Sequence, residues 1–214
     1  MIEKGGKGNM SSRINELAQG LPIILGSGSP RRREILSQVG ISYTVMVSDM
    51  EEVITKSEPD QVVMELAEQK ASQVAKEVLN GVIIGADTVV ASKGKILGKP
   101  KDKNDAFTML SQLSQDMHSV FTGVCILLKK DGVLVDNIIF CEETKVKMCE
   151  LDEEEIRDYI ATGEPRDKAG AYAIQGMAGA FIERIEGDYY NVVGLPIARL
   201  VKELKCLLKK QNRE

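Results

Sequence analysis

Tryptophan is absent from this chain, histidine occurs once (His118), and aromatic residues make up 4% of its 214 residues. Proteins that hold single-stranded nucleic acid stack its bases on aromatic rings, and this chain offers little for that purpose. An excess of positive charge is also missing. The 28 Lys and Arg stand against 32 Asp and Glu, a formal net charge of −4 at pH 7. Bulk electrostatics therefore gives no support for a nucleic-acid partner. The four cysteines (Cys125, Cys141, Cys149 and Cys206) form no C-x-x-C pair, and with one histidine they lack zinc-site spacing. They read as free thiols of a reducing, cytoplasmic compartment. No apolar run approaches the ~18 residues that span a bilayer. Residues 1–12 are polar, without the apolar stretch of a secretory signal, so no membrane partner is expected.

What is present is an ordinary globular composition, 43% apolar and 28% charged, without repeats or a linker long enough to force a domain cut. Ile23-Ile24-Leu25 reads as a short strand entering Gly26-Ser27-Gly28. Ser29 and Pro30 suit the cap and first position of a helix that Gly40 stops. Residues 43–47 read as a second strand and 59–79 as a long helix. Val82-Ile83-Ile84 is a buried-type strand ending at Gly85-Ala86-Asp87-Thr88, and 89–97 carries a hairpin signal. Residues 102–113, 152–161 and a segment up to Leu208 are helical, and 120–128 with 133–148 form a strand pair. Residues 163–179 are irregular. Residues 180–185 and 189–193 read as strands around a turn at 186–188. Helices and strands alternate with hairpins among them, which predicts an α/β protein with a mixed sheet.

Three features stand out chemically. Arg31, Arg32 and Arg33 occupy the first turn of a helix, where the macrodipole disfavours cations. After Gly-Ser-Gly-Ser they suit a phosphate cradle of backbone N–H groups, hydroxyls and guanidinium forks; a solvated basic face is the alternative. Lys70 is the second feature. With Val62 at 0° and about 100° per residue, the apolar positions of its helix lie between about 40° and 180°, and Lys70 falls at about 80°. A lysine inside an apolar arc snorkels, pairs with an acid, or points into a site. Third, Asp87 follows an apolar strand, where ligands of α/β proteins bind; it can hold a metal, accept a proton, or make a local turn bond. Lys99, Lys168, Gln175 and the acids Glu51 and Glu52 complete an inventory suited to a metal-bound polyphosphate.

The sequence resembles the Maf family of nucleotide pyrophosphatases. The resemblance rests on Ser27-Gly28-Ser29-Pro30-Arg31-Arg32, Gly85-Ala86-Asp87-Thr88-Val89-Val90, Gly98-Lys99-Pro100, Asp167-Lys168-Ala169-Gly170-Ala171-Tyr172, Gln175-Gly176 and Asn191-Val192-Val193-Gly194-Leu195-Pro196, in order over about residues 22–205. It implies an inosine triphosphate pyrophosphatase-like (Maf/Ham1) fold, an elongated mixed sheet in two lobes with a central cleft. The expected layout is a flexible tail over 1–20, a single Maf-like catalytic domain over 21–208 and a C-terminal tail over 209–214.

The activity implied is hydrolysis of a nucleoside triphosphate to the monophosphate and pyrophosphate, with a divalent metal cation (Mg²⁺, Mn²⁺ or Co²⁺). Arg31, Thr88 and Gln175 match the branch of the family that prefers dTTP and UTP, with standard or modified pyrimidine nucleotides as substrates of a housecleaning role. The resemblance makes Asp87 the acceptor of the water proton and gives Glu52 a share in holding metal or water. Lys70, Lys99, Arg31, Arg32 and Lys168 then neutralise the triphosphate, and Ser27 and Ser29 bind phosphate oxygens. The family relation allows a homodimer. Ala173 departs from the glycine that many members carry there. A non-hydrolysing nucleotide-binding regulator of cell division or septum formation is the alternative, and a pyrophosphate-release assay separates the two. His118 reads as structural or substrate-adjacent rather than as a general base.

Overall fold

The computed structural model describes residues 10–47 and 49–212. Its strands form one mixed sheet. β1 (Ile23–Leu25), β2 (Thr44–Val45) and β3 (Gly81–Ser92) are parallel to one another. β4 (Lys95–Leu97), β5 (Met117–Lys130), β6 (Val133–Met148) and β7 (Ile182–Glu186) join through antiparallel pairs. The order is β2-β1-β3-β5-β6-β7, with β4 also on β3.

β3 organises the molecule. One of its edges pairs with β5 from Gly81 to Ala91. The other edge is shared: β1 takes Val82 to Ile84 and β4 takes Val90 to Ser92. Residues 85–89 lie in the gap between those two short strands. The core divides at the same place. On one face, Val82, Ile84 and Ala86 with Val124, Ile126 and Leu128 join a cluster that includes α2 (Pro30–Gln38) and the stripe of α7 (Ile197–Gln211). Two rows further on, Val90 and Val120 belong to a second cluster with α4 (Lys103–Leu113) and α5 (Glu153–Ala161). The row between them is Thr88 opposite Thr122, so the two lobes meet at polar residues. On the opposite face α3 (Pro59–Ala75) packs Ala67, Ala71 and Val74 over Ile83, Cys125 and Leu127.

Four expectations are corrected. The tail over 1–20 gives way to a helix, α1 (Met10–Leu17), whose Ile14 is fully buried in the first cluster; residues 1–9 lie outside the described residues. The C-terminal tail from 209 begins later, because α7 carries its apolar stripe through Leu207 and Leu208 and ends at Gln211; residues 213 and 214 lie outside the described residues. Residues 189–193 form a helix, α6 (Tyr189–Val193), not a strand: the Asp188 carboxylate accepts the Tyr190 N–H at 2.8 Å and caps it, and Gly194 ends it at φ +124°. Finally, β3 does not end at Asp87. It runs through to Ser92, so Asp87 sits in mid-strand at the gap.

Candidate active site

The loop from Gly26 to Ser29 connects β1 to α2. Ser29 occupies the cap position without making a side-chain cap bond, which leaves its hydroxyl to other partners. Arg32 turns back under the loop and is buried. Its Nη1 donates to Ser27 Oγ at 3.0 Å, its Nη2 to Thr88 Oγ1 at 3.1 Å and its Nε to the Gly194 carbonyl at 2.8 Å. Burial pulls its pKa down, while Asp87 opposes this; arginine stays charged regardless. Arg32 lines the cleft, yet three of its N–H donors are spent on the protein. Thr122 donates its hydroxyl to the Asn191 carbonyl at 3.0 Å, so Thr88 must donate to Thr122 at 2.9 Å. A one-way chain of hydrogen bonds thus runs from Arg32 through both threonines to α6.

The α3 side of the sheet is built differently. A Cβ on Gly85 would lie 2.3 Å from the Ala67 carbonyl oxygen, and one on Gly123 would lie 2.3 Å from that of Val63. The two glycines let α3 settle onto the sheet closely enough for Lys70 to reach Asp87, which stands directly across from Gly123. The Lys70 ammonium donates to Asp87 Oδ1 and lies 2.9 Å from Glu52 Oε1. Its place in the apolar arc is thereby explained by a pair of acids.

Glu52 belongs to an extended strap laid along α3. Gln69 clasps the backbone N–H and carbonyl of Val53 at 3.1 and 2.6 Å, and Glu65 accepts the Thr55 N–H at 2.9 Å and its hydroxyl at 2.5 Å. With 53 and 55 turned to the helix, Glu52, Ile54 and Lys56 line the cleft. The far wall carries Lys99, Lys168, Tyr172 and Gln175. Asp167 holds the Lys168 ammonium and lies 3.8 Å from Arg31 Nη1.

All eleven residues expected at the site line one cleft of about 790 Å³: Ser27, Ser29, Arg31, Arg32, Glu52, Lys70, Asp87, Thr88, Lys99, Lys168 and Gln175. Six cationic side chains face three acidic ones there, in a chain whose net charge is −4. Lys56 and Asp167 were not assigned roles from sequence. Asp167 stands inside a quoted motif, whereas nothing local marks Lys56, which reaches the cleft only because the strap is extended. Among the described residues, no group of three or more His, Cys, Asp and Glu could hold a metal ion. The available donors are the two carboxylates around Lys70. That set suits a hard cation such as Mg²⁺, which takes one or two carboxylates and completes its shell with substrate phosphates and water.

The sequence profile described as Maf-like protein matches residues 22–207. The chain belongs to the Maf family. The dTTP/UTP pyrophosphatase of Lachnoclostridium phytofermentans is 55% identical over 184 residues, covering 86% of this chain and 93% of that one. That of Bacillus anthracis is 50% identical over 184 residues, covering 86% and 94%. The Thermoanaerobacter (strain X514) protein of the same name is 49% identical over 186 residues, covering 86% and 96%. Among solved structures, the Ham1 protein of Staphylococcus aureus overlaps 59% of this Maf-family chain and 71% of its own, with TM-score 0.43 and 14% identity.

Proposed function

We propose that this protein is a nucleoside triphosphate pyrophosphatase that hydrolyses dTTP and UTP, or modified pyrimidine nucleotides, to the monophosphate and pyrophosphate in a housecleaning role. The observation that carries the reading is the Glu52–Lys70–Asp87 cluster at the floor of a cationic cleft. The curated relatives named above support the same substrates.

In this mechanism the triphosphate lies along the Gly26–Ser29 loop. Ser27, Ser29 and the backbone N–H groups at the start of α2 hold phosphate oxygens. Arg31, Lys99 and Lys168 neutralise the charge that gathers on the departing pyrophosphate. Asp87 takes the proton of the attacking water. The water oxygen bonds to phosphorus as the anhydride bond between the α- and β-phosphates breaks, and pyrophosphate leaves with the electron pair. Lys70 holds Asp87 and Glu52 in place. Glu52 and Asp87 would bind the divalent cation (Mg²⁺, Mn²⁺ or Co²⁺), whose chemistry is to offset phosphate charge and acidify bound water. Arg31 and Gln175 select the pyrimidine base, and Thr88, its hydroxyl held between Arg32 and Thr122, contributes to that choice by shaping the cleft wall. The four free cysteines, with burial pushing the Cys125 and Cys141 thiols up to about 12, fit a reducing compartment, and the cytoplasm is the proposed location.

Pyrophosphate release is the test. With divalent metal present, turnover of dTTP and UTP should exceed that of purine nucleotides. Binding of dTTP without release would favour the non-hydrolysing regulator.

A further inference from the structure

His118 is the chain's only histidine, it is buried, and the mechanism above does not use it. Its Nε2 lies 2.8 Å from the hydroxyl of Tyr172, and the two rings meet edge to face with centroids 5.4 Å apart. Its Nδ1 is buried without a hydrogen-bond partner. Burial holds the ring neutral, with its pKa pulled down to about 4. His118 does not line the cleft, whereas Tyr172 does. The histidine therefore stands one residue behind the wall.

The turn that Tyr172 closes is an unusual one. Gly170 and Ala171 both adopt positive φ, +67° and +62°, and Ala171 has no glycine's freedom to do so. Gly170 is pressed against Val90, where an added Cβ would come within 2.9 Å. Its N–H donates to the Gly98 carbonyl at 3.1 Å, beside Lys99. Lys168 begins the same turn, and the Ala171 N–H donates to its carbonyl at 3.1 Å. A strained turn thus carries one cleft cation and leans on the neighbour of another. Gln175 has separate support: Glu164 accepts the Tyr159 hydroxyl at 2.9 Å and the Met177 N–H at 3.1 Å, and no space remains over Gly176.

We infer that His118 is a positioning residue: through Tyr172 it holds the strained 168–172 turn so that Lys168 and Lys99 face the phosphate groups, without contact to the substrate or influence on base choice. The kinetic side of this inference rests on the pyrophosphatase reading, so its test has an arm that needs no turnover.

The variants are His118→Phe, Tyr172→Phe, their double mutant and His118→Gln, whose amide reaches the position of Nε2. Loss of one hydrogen bond predicts that KM for dTTP and Kd for inorganic pyrophosphate each rise about 5–10-fold in either Phe variant. The double mutant should be no worse than the singles. His118→Gln should restore both values, and the dTTP-to-dGTP preference should stay constant throughout. Lower melting temperatures with unchanged pyrophosphate affinity would reduce the pair to structural support and overturn the inference. Loss of kcat with one limb of the pH–rate profile, KM unchanged, would make His118 a proton-transfer residue and overturn it too. If the wild type releases no pyrophosphate from any nucleotide, the pyrophosphatase reading fails, and calorimetric titration with pyrophosphate still decides the positioning role.

Discussion

The two faces of β3 at the cleft solve different problems. Toward α3, glycines remove side chains so that a helix can bring Lys70 onto Asp87 and Glu52. Those groups are partly open to solvent, and one ammonium between two carboxylates leaves them a charge short of neutral, so they can change partners when a charged substrate arrives with its cation. Toward α2 and α6, Arg32, Thr88, Thr122 and Asn191 are tied by directed hydrogen bonds, and Arg32 has no ion-pair partner within salt-bridge distance among the described residues. That face fixes distances. The comparison separates the face proposed to do the chemistry from one that keeps the lobes in register.

Replacing Lys70 tests the first face. Lys70→Met should lower kcat/KM about 10²–10³-fold. Melting temperature should change by no more than a few degrees, because Glu52 is about half exposed and Asp87 opens to the cleft, so both carboxylates left by Lys70 can be solvated. A sharp loss of stability with activity intact would reverse the contrast. Arg32→Met should do the opposite and cost roughly 3–5 kcal/mol in denaturant unfolding, since the Gly194 carbonyl and two hydroxyls lose a buried partner. Unchanged stability there would mean that the hydroxyl chain holds the lobes without it.

His118 sharpens the comparison through pH. Its pKa in the fold, about 4, lies below the ordinary value of 6.5. Above pH 6.5 both folded and unfolded chains carry the neutral ring, and its full contribution is present. As pH falls toward 4 the unfolded chain takes up a proton that the fold refuses, which removes roughly 3 kcal/mol. Unfolding of wild type and His118→Gln at pH 7 and pH 4 should show that much less acid sensitivity in the variant. The smallest effect is expected from Gln175→Glu, which should lower dTTP and UTP use relative to purine nucleotides several-fold while changing stability by under about 0.5 kcal/mol. Constant ratios would place base recognition elsewhere.

Much of this was legible in the sequence where the signal is local. Helical spacing placed Lys70 on the apolar face of α3, and Ser-Pro opened α2 where expected. Local signals also misled. Tyr-Tyr-Asn-Val-Val has the composition of a strand, yet the Asp188 cap and the burial of Asn191 and Val193 make it helix α6. The run Val82-Ile83-Ile84 reads as a strand ending at Gly85-Ala86-Asp87-Thr88, yet β3 continues to Ser92, and Gly85 is required by the backbone of α3 packed against it. The partners of Arg32 and His118 were beyond reach for a different reason. Gly194 is 162 residues from Arg32, and Tyr172 is 54 from His118. Such contacts follow from the sheet closing, and no periodicity announces them. Motif resemblance supplied the site list that spacing alone left open.

Asp87 bears the central claim, and pyrophosphate release from dTTP by wild type and Asp87→Asn, with divalent metal and at matched folding, tests it most directly. The account predicts a folded variant with normal melting temperature and kcat reduced at least about 10²-fold. An Asp87→Asn protein that turns over dTTP at close to the wild-type rate would contradict it.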